Sequence, residues 1–159
     1  MRMKIISSLR EMQKAADEFR LQGKRIGVVP TMGFLHDGHL SLLKIARARS
    51  DIVILTIFVN PTQFAPGEDF EKYPRDFERD RRLAESAGCD IFFAPEVSEM
   101  FVDDYLTFVQ VEKLSSILEG KFRPTHFRGV TTVVAKLFNL TKPHVAVFGQ
   151  KDVQQAIII

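Results

Sequence analysis

The sequence predicts an α/β domain built on a doubly wound, Rossmann-like parallel sheet, and three observations carry that prediction. Short apolar runs recur along the 159 residues, hydrophobic on both faces as strands covered by helices are. Each run stops at a Pro, Gly or Asn. Amphipathic stretches of helical spacing lie between the runs, and that alternation implies right-handed β–α–β crossovers.

The elements follow in order. Ser8 and Glu11 have the spacing of a capping box ahead of Leu9, Met12, Ala16 and Phe19, with Gly23 just past the helix end. Arg25 to Val29 reads as a buried strand that stops at Pro30, and Leu40, Leu43 and Ala46 stripe the next helix. Ile52 to Val59 is continuously apolar and β-branched until Asn60-Pro61. A helix is expected from about Arg75 to Ala87, stopping at Gly88, with Phe77, Leu83, Ala84 and Ala87 on its apolar face. Asp80 falls in the middle of that face, where an acid needs a partner, and pairing with Arg79, Arg81 or Arg82 is the expectation. Ile91 to Ala94 is a third strand and ends at Pro95. Leu106 to Val111 alternates weakly and predicts an extra edge strand. Val130 to Leu140 is apolar nearly all round and predicts a deeply buried helix. Val145 to Phe148 is the fourth strand of the core pattern. After it, Asp152 and Gln155 have the spacing of an N-cap and its N3 partner, and Ile157-Ile158-Ile159 gives the last helix neither a Gly stop nor a basic final turn.

Composition narrows the class without naming an activity. Residues are 45% hydrophobic and 26% charged, with 22 Lys plus Arg against 20 Asp plus Glu, so the formal charge is only +2. That balance argues against a dedicated nucleic-acid binder. One cysteine, Cys89, makes no internal disulfide and no metal cluster, and its place between a helix stop and a strand reads as core. No apolar run approaches the roughly 20 residues of a membrane span, so no membrane partner and a cytoplasmic setting are expected. There is no internal repeat.

In open α/β sheets ligands bind beyond the carboxyl ends of the strands. Three such ends carry polar sequence that packing does not require: Pro30 to His39 (PTMGFLHDGH), Asn60 to Phe64 (NPTQF) and Gly149 to Asp152 (GQKD). His36 and His39 sit three apart where a helix begins, so their rings share a face beside the free N–H groups of the helix start, which favour an anion. Gly38 lets a ligand approach the backbone. Two imidazoles there suit hydrogen bonding or proton donation to phosphate oxygens; the competing reading is a pair of surface histidines in a capped loop. Metal binding by the pair is weaker, as no further ligand is evident. Gln63 suits contact with a small hydroxylated or carboxylated substrate, whereas Asn60 fits either such contact or turn chemistry. Lys151, one residue before a helix start, opposes the macrodipole and is better explained by a bound anion. Asp152 and Gln155 remain cap and partner on this reading. Lys121 to Gly129 interleaves cations with aromatics; as one short loop of a near-neutral chain it covers a phosphorylated ligand more readily than a nucleic acid.

These segments, VPTMGFLHDGH, IFVNPTQF, YPRD, LEGKFRPTHFRGV and FGQKD-x-QQ, together resemble the pantoate–β-alanine ligases, within the nucleotidyltransferase superfamily that carries an H-x-G-H motif. The resemblance spans the whole chain. It implies ATP-dependent joining of pantoate and β-alanine through a pantoyl adenylate, with ATP and Mg²⁺ as cofactors. It implies an ATP site of Pro30, Met32, Gly33, Phe34, Leu35, His36, Asp37, Gly38, His39, Gly149, Gln150, Lys151 and Asp152, with His39, His36 and Lys151 in catalytic roles. Pantoate and β-alanine would meet Gln63, Gln155 and Asn60, and Arg123 would contact phosphate. The metal ligands are unassigned. On the same resemblance the chain, 1–159, is the family's N-terminal nucleotide-binding domain. The C-terminal domain and a Ser-Ser-Arg phosphate segment have no counterpart in it, and the full-length family implies a homodimer. Rival readings are nucleotidyl transfer onto a phosphate acceptor, an RNA-binding module and an assembly domain swapped through its isoleucine tail.

Overall fold

The two central strands set the frame, because their residues are apolar on both faces and can lie only inside a covered sheet. They are β2 (Ile26–Thr31) and β3 (Ile52–Ile57), paired in parallel from Ile26↔Ile52 to Thr31↔Ile57. The computed structural model describes residues 3–65, 68 and 70–159. Among them, β1 (Lys4–Ile6), β4 (Ile91–Phe93) and β5 (Val145–Ala146) complete a five-stranded, all-parallel sheet of order β1-β4-β3-β2-β5.

The remaining elements are α1 (Leu9–Leu21), α2 (Asp37–Arg49), a 3₁₀ turn at Pro61–Gln63, α3 (Phe77–Ser86), α4 (Val97–Met100), a 3₁₀ turn at Leu114–Ser116, α5 (Glu119–Phe122), α6 (His126–Thr141), a 3₁₀ turn at Gln150–Asp152 and α7 (Val153–Ile158). Met12, Ala15 and Ala16 of α1 pack with Val130, Val133, Val134 and Leu137 of α6 on one face of the sheet. Leu43 and Ala46 of α2, with Ala84 of α3, cover the other. The expected class therefore holds, and it positions a crevice. From β2 the chain winds outward through β3 to β4, then returns across the sheet to place β5 on the far side of β2. The order reverses between β2 and β5, and the loops leaving these two strands border the crevice where such sheets bind ligands.

Local chemistry explains most boundaries. Ser8 Oγ accepts from the Glu11 N–H, and Gly23 at φ +71° follows the end of α1. β2 runs one residue past Pro30. The Val28 carbonyl accepts from Val147 N–H on the β5 side, and Pro30 faces that same side beyond the end of the β5 ladder, so its missing N–H interrupts nothing. β3 stops at Ile57 and not Val59, because its partner β2 ends at Thr31.

Other expectations fail for identifiable reasons. The sequence pattern missed β1, which is three residues long with only Ile6 buried. Leu106 to Val111 is not a strand: the Val109 N–H donates to Thr132 Oγ1 and its carbonyl accepts from Thr131 Oγ1, so α6 hydroxyls take the groups a ladder would need. Lys121 to Gly129 is not one loop but the end of α5, a short connection and the first turn of α6. Asp152 starts α7 without a side-chain capping bond, because the preceding 3₁₀ turn ends on it; the Gln155 side chain makes no hydrogen bond among the described residues. Of the last three isoleucines, Ile158 is buried. Cys89 is core, as expected, donating to the Ile91 carbonyl at 3.0 Å.

Candidate active site

The loop from β2 into α2 makes an unusual helix start. His36 is the N-cap and His39 the N3 residue, and each ring nitrogen Nδ1 accepts a backbone N–H: Gly38 to His36 at 3.1 Å, His36 to His39 at 3.3 Å. Two histidines thus play the parts that Ser or Thr and Glu usually take in a capping box. An imidazole that accepts through Nδ1 is neutral and carries its proton on Nε2. The cap therefore fixes both tautomers and leaves two Nε2–H donors free of the backbone. The rings lie 4.1 Å apart at 43°. Burial, and after it the neighbouring His36, pushes the His39 pKa below its ordinary value; Lys151 pushes the same way, while Asp80 and Asp152 oppose. Charges that follow β5, Lys151 and Asp152, thus bear on the same imidazole.

Gly38 does not leave an open face here. A side chain at this position would meet the His36 ring, with Cε1 2.8 Å away. Leu35 is corrected as well: its side chain is fully buried and its N–H is bonded to Asp80, so neither faces a ligand. Phe34 is half exposed and lies under the Arg79 guanidinium at 5.3 Å.

Gln63 is drawn into the site from both sides. Its Nε2 lies 3.2 Å from Met32 Sδ, which ties the second loop to the first, and its Oε1 accepts from Asn60 Nδ2 at 3.2 Å. Asn60, 1% exposed, also donates to the Gly129 carbonyl at 3.1 Å and accepts from Thr62 N–H and Thr62 Oγ1. Those bonds fill the amide's capacity, so turn chemistry accounts for Asn60 and its role toward a ligand passes through Gln63. The Gln63 carbonyl is held in turn by His126 Nδ1 at 3.0 Å and Arg123 Nη2 at 3.4 Å. His126 donates through Nδ1 to that carbonyl, and burial lowers its pKa. Arg123 is engaged by Glu68 at 2.7 Å and by Glu119 at 3.5 Å, so it is a structural clamp under Gln63 in this structure. Lys151 and Asp152 are exposed and form no ion pair among the described residues. The structure thus gathers the 31–39 loop, Gln63, Lys151 and Asp152.

Two contributors escaped the sequence reading. Asp80 does form the expected arginine ion pair, with Arg79 at 3.6 Å, but its shorter bonds are from the N–H groups of Phe34 and Leu35, each at 2.7 Å. The polar residue on an apolar face was the visible signal, but the partner lay 46 residues upstream. Gly129 lets α6 touch the Asn60–Gln63 turn: an added Cβ would sit 2.5 Å from Thr62 C and 2.7 Å from Gln63 N. No sequence pattern marked it. Among the described residues no cluster of three or more His, Cys, Asp or Glu side chains is arranged to hold a metal.

Comparison with known proteins finds relatives of this chain. The family model described as pantoate-beta-alanine ligase matches residues 4–159. The chain is 60% identical over 153 residues to the pantothenate synthetase of Thermotoga neapolitana, covering 96% of this chain and 55% of that protein. It is 59% identical over 157 residues to that of Chloroherpeton thalassium, covering 99% and 55%. The crystal structure of pantothenate synthetase from Thermus thermophilus superposes with a TM-score of 0.91 at 48% identity, covering 98% of this chain and 55% of that one. A pantoate-beta-alanine ligase from Francisella tularensis, complexed with beta-gamma ATP and beta-alanine, gives 0.92 at 39% identity, covering 98% and 60%. The chain spans about half the length of the curated relatives it matches.

Proposed function

From a chain that belongs to the pantoate–β-alanine ligase family, we propose that residues 1–159 are the nucleotide-binding domain of an enzyme that joins pantoate and β-alanine with ATP, releasing AMP and pyrophosphate. The observation that carries the reading is the histidine capping box, which presents two Nε2–H donors at the start of α2, in the crevice where the strand order reverses. Donors fixed before the substrate arrives act on charge as it develops, without reorganisation.

The residues divide the work as follows. The triphosphate lies along the 31–39 loop and the Gly149–Asp152 segment, with the His36 and His39 Nε2–H groups and Lys151 on its oxygens. Gln63 holds pantoate, assisted by Gln155, so that the pantoate carboxylate stands in line with the α-phosphorus. An oxygen–phosphorus bond forms and the bond to pyrophosphate breaks, giving pantoyl adenylate. The β-alanine amine then attacks the acyl carbon, and AMP leaves. Mg²⁺, held chiefly by the phosphates, would supply charge neutralisation. The family's remaining length, its second domain and any dimer contact belong to the same proposal.

Calorimetric titration of this chain with ATP–Mg²⁺, followed by pantoate, tests it. Saturable binding of ATP, and of pantoate in its presence, is the expected result. In the full-length enzyme, labelled pyrophosphate should exchange into ATP only when pantoate is present. Exchange that a phosphate acceptor supports and pantoate does not would replace this reading with nucleotidyl transfer.

A further inference from the structure

The loop that feeds the capping box turns through two successive residues of positive φ, Gly33 at +88° and Phe34 at +52°. An aromatic residue does not adopt that conformation unaided. What faces it is a carboxylate delivered from a different helix. Asp80 of α3, 1% exposed, accepts the Phe34 N–H on Oδ2 and the Leu35 N–H on Oδ1, both at 2.7 Å. Consecutive N–H groups converging in this way form an anion-binding nest, and here the anion is built into the fold. The fit is close, since a Cβ on Gly33 would lie 3.1 Å from Oδ2. Arg79 forms a looser ion pair with the carboxylate, at 3.6 Å, and stacks over Phe34. The residue after Leu35 is His36, the N-cap.

We propose that Asp80 is a positioning residue of the nucleotide site: by closing the Gly33–Leu35 turn it fixes where His36 caps α2, and so where the two Nε2–H donors point. The inference rests on the proposed function for what those donors bind. The turn itself is independent of any ligand. Asp80→Asn keeps the shape, but turns one acceptor into an amide that opposes a backbone N–H, and removes the charge that makes such bonds strong.

The test uses the full-length enzyme and two readouts. Hydrogen exchange of the 33–39 segment, measured without substrate, is expected to accelerate at least tenfold in Asp80→Asn, with β2 and β3 unchanged. The KM for ATP is expected to rise at least tenfold, with the KM for β-alanine within twofold. Unchanged exchange at 33–39 overturns the proposal, as do equal rises in every KM with exchange raised throughout the sheet. A wild-type enzyme with no affinity for ATP would defeat the proposed function alone, because the exchange readout still reports on Asp80. If Asp80→Asn does not fold, Gly33→Ala decides: it leaves the carboxylate in place but crowds it, and an ATP KM within twofold of wild type overturns the inference.

Discussion

Replacing Gly129 by alanine adds one methyl group at the point where α6 touches the Asn60–Gln63 turn. The new Cβ would stand 2.5 Å from Thr62 C and 2.7 Å from Gln63 N, with the Thr62 oxygen closer still, whereas ordinary contact begins at 3.4 Å. All three atoms are backbone, so no rotamer change relieves them, and helix and turn must separate by about 1 Å to clear the closest of them. Overpacking of this kind costs about 1–3 kcal/mol. Alanine's better helix propensity offsets up to about 1 kcal/mol of that. The expected net loss is about 1–2 kcal/mol, which lowers Tm by roughly 2–8 °C for a domain of this size. The larger effect is expected at the site. The Gly129 carbonyl holds Asn60, Asn60 holds Gln63, and a misplacement of about 1 Å can cost roughly 100-fold in rate. Thermal melts and pantoate-dependent pyrophosphate exchange in the full-length enzyme measure both quantities, with Gly23→Ala as a control: that glycine has φ +71° and nothing within 4 Å, so its substitution strains the backbone far from the site. A Gly129→Ala enzyme with unchanged Tm and pantoate kinetics would refute the packing argument.

Four further outcomes are expected. His39→Ala should slow adenylate formation by roughly 2–4 kcal/mol in barrier if its Nε2–H stabilises phosphate charge, and an unchanged single-turnover rate removes it from the mechanism. Because the folded chain holds the His39 pKa below its ordinary 6.5, the unfolded chain takes up the proton first; stability should fall as pH drops below about 6.5, and His39→Gln should flatten that slope. The Arg123 guanidinium holds the Glu68 carboxyl down to about 2, so their pairing contributes above the ordinary 4.5 and is lost as pH falls from there toward 2; Tm against pH should lose that segment in Glu68→Gln. Burial pushes the Cys89 thiol up to about 12, so a thiol reagent at pH 8 should label it only on unfolding, and rapid labelling of the native protein would contradict its burial.

The sequence by itself determined the class of fold and the edge of the sheet on which the candidate site lies. Buried strands announce themselves by apolar residues on both faces, helices by their stripe, and strand ends by the polar segments 30–39, 60–64 and 149–152, because each of these signals is local. The same locality explains what it could not reach. A three-residue strand such as β1 is too short for periodicity, and 106–111 looked like a strand because the hydroxyls that occupy its backbone sit on α6. Only the tertiary structure decided which residues hold the site in shape. It gave Asp80 to the Phe34 and Leu35 backbone, Asn60 to Gln63 and Gly129, and Arg123 to Glu68 and the Gln63 carbonyl. Each of those three residues has at least one partner that the chain places far away and the packing of helices on the sheet brings close. The histidine pair lies between the two cases: its spacing was legible, but that each ring caps the helix through Nδ1 and offers Nε2–H outward follows from backbone geometry alone.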